Sequence, residues 1–287
     1  TDLAFVDSVN LRIFAGNGDG SFRAPQVIAA PRGSSIVSAD FSGDGLPDLA
    51  IGERVSNVDL DPGRVRIFYN DRVEPFGRRV AVEGVARPLS LIAADFDGDH
   101  WLDLGAATDM SVFSVLSSDR RGAFASAVRY DVGLSRPADF LQPRRVLAGD
   151  LDGDGHADAV HLMSDGRLVS EISTASGTFR SLVAGDAGFQ SWVSAQLADI
   201  NGDGKLDVVA VNPGFDIFTD FSGVSVSLGL GDGRFASRQY TPLPSLDGVY
   251  TTSPIDVAVG DVNGDGRLDL AVAVRFATEI LFGNGDG

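Results

Sequence analysis

The chain has 287 residues, 44% of them hydrophobic, and is therefore long enough to bury a sizeable core. It contains no cysteine, which excludes a disulfide framework, zinc–thiolate sites and a thiol nucleophile. Its net charge of −17 argues against nucleic acid as a partner, and no apolar run reaches the roughly 18 residues of a transmembrane helix.

The first 39 residues are predicted to be the last part of a repeat. Three strands and one turn are predicted there: strands Leu3–Val6, Asn10–Phe14 and Phe22–Ala29, and the turn Gly16–Gly20. The Asn-Gly and Asp-Gly pairs of the turn accept positive φ and are strong hairpin signals. The same hairpin pattern returns at Gly229–Phe235 and at Gly283–Gly287.

Five copies of a nine-residue, aspartate-rich segment follow, with starts that are 55, 55, 49 and 62 residues apart. Each copy has oxygen-bearing side chains at positions 1, 3, 5 and 9, and four of the five have glycine at position 6. The copies, here called the metal loops, are Asp40–Asp48, Asp95–Asp103, Asp150–Asp158, Asp199–Asp207 and Asp261–Asp269.

This donor pattern predicts calcium sites, up to five in number. Ca²⁺ takes six to eight oxygen ligands, whereas Mg²⁺ prefers a strict octahedron and retains waters. The predicted ligands are the side chains at positions 1, 3, 5 and 9 and the backbone carbonyl at position 7. They are Asp40, Ser42, Asp44, Leu46, Asp48, Asp95, Asp97, Asp99, Trp101, Asp103, Asp150, Asp152, Asp154, His156, Asp158, Asp199, Asn201, Asp203, Lys205, Asp207, Asp261, Asn263, Asp265, Arg267 and Asp269.

The five metal loops differ in predicted quality. Those that open at Asp199 and Asp261 match the pattern best. His100 stands where glycine is expected, which predicts a strained or altered turn. Ser42 is a neutral and weaker ligand at position 3. We therefore expect the two weakest sites in the loops that contain Ser42 and His100.

Other calcium frames fit the sequence badly. An EF-hand needs a carboxylate at position 12, where this chain has Ile51, Ala106, His161, Ala210 and Val272. The loops also account for most of the acidity, because they contain 17 aspartates at ligand positions and five Ca²⁺ ions would leave a net charge of about −7.

A short predicted strand leads into each metal loop and another follows it. The leading strands are Ser35–Ala39, Ser90–Ala94, Arg145–Gly149, Val193–Ala198 and Ile255–Gly260, and each ends in Ala or Gly, which suggests crowding between repeats. Four turn-linked strands in about 50–60 residues, without a helical period, are typical of a β-propeller blade. The predicted fold is therefore all-β, a propeller of four-stranded antiparallel blades with calcium-binding loops.

The loops resemble the FG-GAP (VCBS-type) repeats of integrin α-subunit propellers and of many secreted bacterial proteins. The resemblance rests on the aspartate frame, on an apolar residue at position 2 and on the Gly-x-Gly-Asp-Gly-x-Phe hairpin. It implies one propeller domain over residues 1–287, with Ca²⁺ between the first two strands of each blade. The repeats are residues 1–39 (partial), 40–94, 95–149, 150–198, 199–260 and 261–287 (partial).

The predicted strands number 22, fewer than the 24 of six blades or the 28 of seven. Thr1-Asp2-Leu3-Ala4 also matches positions 8 to 11 of the repeat, as in Pro47-Asp48-Leu49-Ala50. We therefore expect six or seven blades, incomplete at both ends, within a larger chain or complex.

The metal loops and the hairpins are expected on one face, and variable insertions on the other. The insertions are Gly52–Gly63, Asp131–Pro143, Asn212–Gly223 and Thr241–Ser253. Several aromatic residues in or beside them pack the loops or form a platform for a sugar ring or a protein hot spot: Phe140, Phe215, Phe218, Phe221, Tyr240 and Tyr250.

Three functions remain open at this point. The integrin resemblance implies an extracellular, cell-surface or periplasmic adhesion module that binds a protein partner. Some lectins share the repeat, which implies a calcium-dependent glycan-binding propeller. Some calcium-bearing propellers are lyases, which implies a polysaccharide-degrading enzyme, a lyase or hydrolase, as the third function. No zinc-protease motif, nucleophile elbow or phosphate loop is present. We therefore expect a binding module and not an enzyme, with structural calcium.

Overall fold

The computed structural model describes most of the chain, and every regular element in the described residues is a β-strand. The described residues are 2–7, 9–30, 33–53, 63–108, 112–132, 143–174, 177–186, 194–212, 222–243, 254–275 and 277–287. They contain no helix that could cross a membrane. The chain separates into two compact units, Thr1–Asp95 with Asp99–Asp131, and Phe96–Gly98 with Val132–Gly287.

The first unit contains three antiparallel sheets in which strands pair in chain order. Sheet 1 consists of β1 (Leu3–Val6), β2 (Asn10–Phe14) and β3 (Gln26–Ala29). Sheet 2 consists of β4 (Gly33–Ala39), β5 (Asp48–Glu53), β6 (Arg64–Phe68) and β7 (Arg79–Glu83). Sheet 3 consists of β8 (Pro88–Ala94), β9 (Asp103–Thr108), β10 (Val112–Leu116) and β11 (Val128–Asp131).

The second unit repeats this organisation. Sheet 4 consists of β12 (Pro143–Gly149), β13 (Asp158–Met163), β14 (Arg167–Ser173) and β15 (Phe179–Asp186). Sheet 5 consists of β16 (Ser194–Ala198), β17 (Asp207–Asn212), β18 (Gly223–Ser227) and β19 (Gln239–Pro242). Sheet 6 consists of β20 (Pro254–Gly260), β21 (Asp269–Val274) and β22 (Ala277–Leu281).

These up-and-down sheets confirm the predicted fold class, an all-β fold of propeller blades. The described residues form 22 strands, as the sequence predicted, and each metal loop joins the first and second strands of a four-stranded sheet or of sheet 6. The second strand is the best buried: every residue of β5, β9, β13 and β17 is enclosed. Their continuous apolar runs fit strands that are covered on both faces.

Four of the five first strands begin one or two residues earlier than the sequence suggested, because they open with a β-bulge, whereas β16 begins at Ser194 and pairs without a register shift. The pairing register shifts between Gly33 and Ser35, and equivalent shifts follow Pro88, Pro143 and Pro254. Proline has no N–H to donate, so it is tolerated at a strand start or a bulge. The bulged residue re-aims the side chains at the strand end opposite the metal loop.

The third strand of sheet 1 is shorter than predicted. It begins at Gln26, while Phe22 forms only an isolated bridge with Gly16. Pro25 interrupts the run, and without an N–H it cannot continue the ladder. The same isolated bridge closes the hairpins at Phe124 and Phe235, so it is a regular feature of this hairpin.

The apolar residue at position 2 of a metal loop packs against the next sheet. Phe41 is 1% exposed, and its ring centroid lies 5.7 Å from that of Phe124 in sheet 3. Phe96 meets Phe179 in the same way at 5.5 Å, and Leu151 shares a buried cluster with Phe235. The loops therefore anchor apolar contacts between sheets as well as presenting oxygen atoms.

Candidate metal sites

The aspartate at position 1 folds each metal loop around its own carboxylate. In Asp261, Oδ1 accepts a hydrogen bond from the N–H of Gly264 at 2.7 Å, and Oδ2 accepts one from the N–H of Gly266 at 2.9 Å. The same pattern recurs in Asp40 and Asp150. Glycines at positions 4 and 6 make this turn possible, because both have positive φ in the matching loops, for example +78° and +83° at Gly264 and Gly266.

Positions 3 and 5 direct further oxygens into the same turn. Oδ1 of each position-5 aspartate accepts a hydrogen bond from the N–H of position 7, at distances between 2.8 and 3.0 Å. At position 3, Oδ1 of Asn201 and of Asn263 accepts the N–H of position 5 at 3.0 and 2.8 Å. These hydrogen bonds fix the side chains at positions 3 and 5 within the turn.

Carboxylate oxygens converge most closely in two loops. Those of Asp95, Asp97 and Asp99 lie within 4.8 Å of one another, and so do those of Asp150, Asp152 and Asp158. Like charges at this separation repel one another, and a cation among them removes the repulsion. A set made only of oxygen donors suits Ca²⁺ by chemistry. In the other loops position 3 is Ser42, Asn201 or Asn263, which supplies a neutral oxygen.

The side chains at position 7 pack on glycines of neighbouring loops or form ion pairs. The indole of Trp101 packs on Gly43 so closely that a Cβ added at Gly43 would lie 2.4 Å from the ring. The imidazole of His156 packs on Gly98 in the same way, and a Cβ added there would lie 2.3 Å from it. Lys205 and Arg267 form ion pairs within their own loops. The backbone carbonyl of Leu46, Trp101, His156, Lys205 or Arg267 therefore stays the predicted ligand at position 7.

The aspartate at position 9 connects the loop with the hairpin of the same sheet. In Asp207, Oδ2 accepts the N–H of Ile200 at 2.8 Å, and Oδ1 accepts the N–H of Gly229, beyond β18, at 2.7 Å. The four other position-9 aspartates bind the N–H of Asn70, Ser118, Ser173 and Gly283, and all five are at most 1% exposed. This connection shows that metal loops and hairpins share one edge of the sheets.

Sequence reasoning assigned position 9 only to the metal and missed this structural role. Asp2 stands at the equivalent place in sheet 1, outside the five metal loops, and makes the same connection: its Oδ1 accepts the N–H of Gly16 at 2.9 Å. A signal for it existed, because the position-9 Asp of every metal loop opens the apolar second strand.

Burial affects the ionisation of the position-9 aspartates. It raises the pKa of Asp158 to about 6, although the N–H groups of Ser173 and Leu151 act in the opposite direction. The pKa values of Asp48 and Asp207 are also raised, again chiefly by burial. A buried carboxylate that must stay ionised gains from a nearby cation, and this observation supports the fit of a metal ion to these loops.

His100 adopts the left-handed backbone that the other loops give to glycine. Its φ is +69°, against +83° to +88° for Gly45, Gly155, Gly204 and Gly266. The turn therefore keeps its shape and is strained, as the sequence predicted, by about 1 kcal/mol. The side chain is 94% exposed, so packing does not offset this strain.

We expect His100→Gly to stabilise the protein by about 1 kcal/mol, because it removes the left-handed strain. The measurement is the midpoint of denaturant unfolding at saturating calcium. Gly204→His is the matched control, since Gly204 has φ +83° and no atom within 4 Å of a Cβ; it should destabilise by a similar amount. A lowered midpoint for His100→Gly would contradict the assignment of strain.

The remaining predicted features are only partly within the described residues. Phe140, Phe215, Phe218, Phe221 and Tyr250, and most of the four insertions, lie outside them. Tyr240 lies within β19, and its ring covers Gly223, where a Cβ would be 2.6 Å away. This contact supports the packing role for Tyr240.

The first unit also contains a cavity of about 880 Å³ beside the metal-loop edge. Leu3, Ile36, Leu49 and Phe76 contribute apolar walls, and polar groups come from Arg23 and its neighbours. Such a mixture of apolar walls and a few polar groups is typical of a ligand pocket.

Comparison with known proteins gives a family and a fold. The sequence profile described as FG-GAP-like repeat matches residues 1–51, 150–210 and 199–272. No curated protein matches the chain. A lectin of Agrocybe aegerita, described by its specific recognition of non-reducing terminal N-acetylglucosamine, is 21% identical with a TM-score of 0.64 and covers 99% of this chain and 77% of its own.

Two further solved structures are similar over nearly the whole chain. BBS1N, solved in complex with ARL6DN, is 14% identical with a TM-score of 0.55 and covers 95% of this chain and 70% of its own. The periplasmic gluconolactonase PpgL of Pseudomonas aeruginosa is 16% identical with a TM-score of 0.57. The match covers 94% of this chain and 73% of the gluconolactonase. At these identities the likeness shows the fold.

Proposed function

Because the chain belongs to the family of FG-GAP-like repeats, we propose that it is a calcium-stabilised binding module whose ligand is a protein partner. Calcium ions in the metal loops hold the strand connections together, and the opposite edge of the sheets carries the partner. The module works in a calcium-rich extracellular, cell-surface or periplasmic space.

One observation carries the calcium part of this proposal. The metal loops place oxygen donors in one repeated geometry, and in the loop that opens at Asp150 three carboxylates lie within 4.8 Å of one another. The donors of Asp150, Asp152 and Asp154 lie in an exposed turn that nevertheless has a fixed backbone. All-oxygen sites of this kind bind Ca²⁺ in preference to softer metals.

The edge opposite the metal loops supports partner binding. Ion pairs connect the two strand ends that flank residues 54–62. Glu53 is 1% exposed, and its Oε2 lies 2.8 Å from Arg64 Nε and 3.0 Å from Arg66 Nη2. Binding residues are commonly found on loops that a rigid scaffold positions. The insertions also differ in length and sequence, which favours one asymmetric surface over repeated identical pockets.

The proposal is tested by capture experiments with calcium-loaded protein. A variant with residues 213–221 replaced by a Gly-Ser linker should lose the captured partner while its calcium-dependent melting is retained. The control changes Asp232 and Arg234 to serine, on the metal-loop edge, and should keep the partner. If the linker variant binds as well as the parent chain, this insertion does not carry the partner surface.

A glycan ligand is the second candidate, favoured by the cavity in the first unit and by the likeness to the Agrocybe lectin. A glycan array probed with calcium-loaded protein, and again in EDTA, separates the two candidates. Binding to one sugar class that is lost in Arg23→Ala would assign the cavity to a sugar. An empty array from folded protein favours the protein partner.

No catalytic step is proposed. Of the histidines, His100 is exposed in its loop, His156 packs on Gly98, and burial lowers the pKa of His161 to about 3. A neutral, enclosed imidazole of this kind does not serve as a general base at neutral pH. The position-1 aspartates of the metal loops accept hydrogen bonds from backbone N–H groups.

A further inference from the structure

The aspartate at position 5 has an ion-pair partner in three of the metal loops. Asp99 Oδ2 lies 2.9 Å from Arg120 Nε, which comes from the hairpin of the same sheet. Asp203 Oδ2 lies 3.4 Å from Lys205 Nζ, and Asp265 Oδ2 lies 3.0 Å from Arg267 Nη2.

The other two loops lack such a cation. Position 7 is Leu46 in one and His156 in the other, and within the described part of the chain neither Asp44 nor Asp154 forms an ion pair. The contrast is sharpest in the loop that opens at Asp150, which has four aspartates and no paired cation.

We propose that Arg120, Lys205 and Arg267 are built-in counter-ions that compete with calcium, so that the metal loops form affinity classes. The inference rests on the proposed calcium binding and specifies its regulation. The loop at Asp150 binds calcium most tightly. The loops at Asp199 and Asp261 have three aspartates and a cation each, and they release calcium first.

The counter-ion and calcium compete because the cationic side chain binds Oδ2 of the position-5 aspartate, a predicted calcium ligand. Oδ1 of each position-5 aspartate already accepts the N–H of position 7, so Oδ2 is the less engaged oxygen and the one that the cation holds. In Asp265 that atom also accepts the amide of Asn263 at 3.1 Å. Calcium must displace these donors, while in the calcium-free loop they relieve the repulsion between carboxylates.

The pKa values of the position-5 carboxylates agree with these hydrogen bonds and ion pairs. The pKa values of Asp203 and Asp265 are lowered, first by the N–H of position 7 and then by the cationic side chain. The ion pairs are partly exposed, with Lys205 43% and Arg267 51% accessible. Each pair therefore has a modest effect that added salt weakens.

This order differs from the one that the sequence suggests. Position-by-position matching favours the loops at Asp199 and Asp261, because it counts ligands and ignores the side chains beside them. As external calcium falls, the counter-ions would empty these two loops while the loop at Asp150 stays filled, so the module loosens in steps.

The test is a calcium titration followed by the backbone amide resonances of Gly155, Gly204 and Gly266. Each of these N–H groups binds the position-1 carboxylate of its own loop, at 3.0, 2.8 and 2.9 Å, and therefore reports one site. We expect the Gly155 signal to respond at the lowest calcium concentration. Lys205→Gln should lower the calcium midpoint at Gly204 by about threefold and leave that at Gly155 unchanged.

Arg234→Gln is the matched control. Arg234 pairs with Asp232 at 2.9 Å in the hairpin of the same sheet, so the variant removes the same charge near the loop but leaves the pair of Asp203 and Lys205 intact. Equal midpoints at the three glycines, or equal shifts in Lys205→Gln and Arg234→Gln, would overturn the counter-ion proposal while calcium binding stands. If calcium moves none of the three signals, calcium binding itself is contradicted.

Discussion

Removal of calcium with EDTA is expected to lower the melting temperature by about 10 °C or more. Extracellular calcium modules have dissociation constants of about 10⁻⁴–10⁻³ M, so a few millimolar Ca²⁺ stabilises each site by about 1–2 kcal/mol. Several of the five loops together contribute about 5 kcal/mol, and for a chain of this size each kcal/mol corresponds to about 2–4 °C.

Calorimetry in calcium, in EDTA and after calcium is added back measures this effect. Magnesium in place of calcium should restore little, because the loops favour a larger and more flexible coordination shell. Two compact units can also melt separately, in which case both transitions should shift, because both units contain metal loops. A melting profile that EDTA leaves unchanged would contradict calcium stabilisation.

A variant of a single loop makes the result specific. Asp152→Ala removes one of the three converging carboxylates of the loop at Asp150. It should reduce the calcium-dependent part of the melting temperature and leave the EDTA value nearly unchanged, because Asp152 accepts only the N–H of Asp154 at 3.2 Å. Asp19→Ala, in a hairpin without a metal frame, is the control and should not alter the response to calcium.

The sequence predicted the fold closely because its signals are local. Asn-Gly and Asp-Gly turns, alternating apolar runs and a repeated aspartate frame each depend on residues that are near in the chain. The strand count and the strained turn at His100 followed from these signals. The bulges at the starts of four first strands could have been found too, since three of the four follow a proline one or two residues before the predicted strand.

The features that the sequence did not predict depend on pairing register. Asp103 binds the N–H of Ser118, 15 residues later, and Asp207 binds that of Gly229, 22 residues later. Arg120 reaches Asp99 across a similar span. The length of the insertion between strands varies from sheet to sheet, so no fixed spacing marks these partners. Only the folded sheet brings the metal loop and the hairpin to one edge.

The structural role of the position-9 aspartate can be tested separately from its predicted role in metal binding. Asp207 is fully buried, and both its oxygens accept backbone N–H groups, from Ile200 and from Gly229. Asp207→Asn replaces one oxygen by an amide N–H that would face one of these donors. A buried donor without an acceptor is costly, and this donor faces a second donor.

We therefore expect Asp207→Asn to lower the free energy of unfolding by about 3 kcal/mol, in EDTA as well as in calcium. Denaturant unfolding at pH 8 measures the loss. Asp203→Asn, at position 5 of the same loop, is the control: Asp203 is partly exposed and its ion pair with Lys205 is weak, so this variant should weaken the calcium response and change little in EDTA. If Asp207→Asn destabilised only the calcium-loaded protein, the aspartate would be a metal ligand alone, and the connection between loop and hairpin would not contribute to stability.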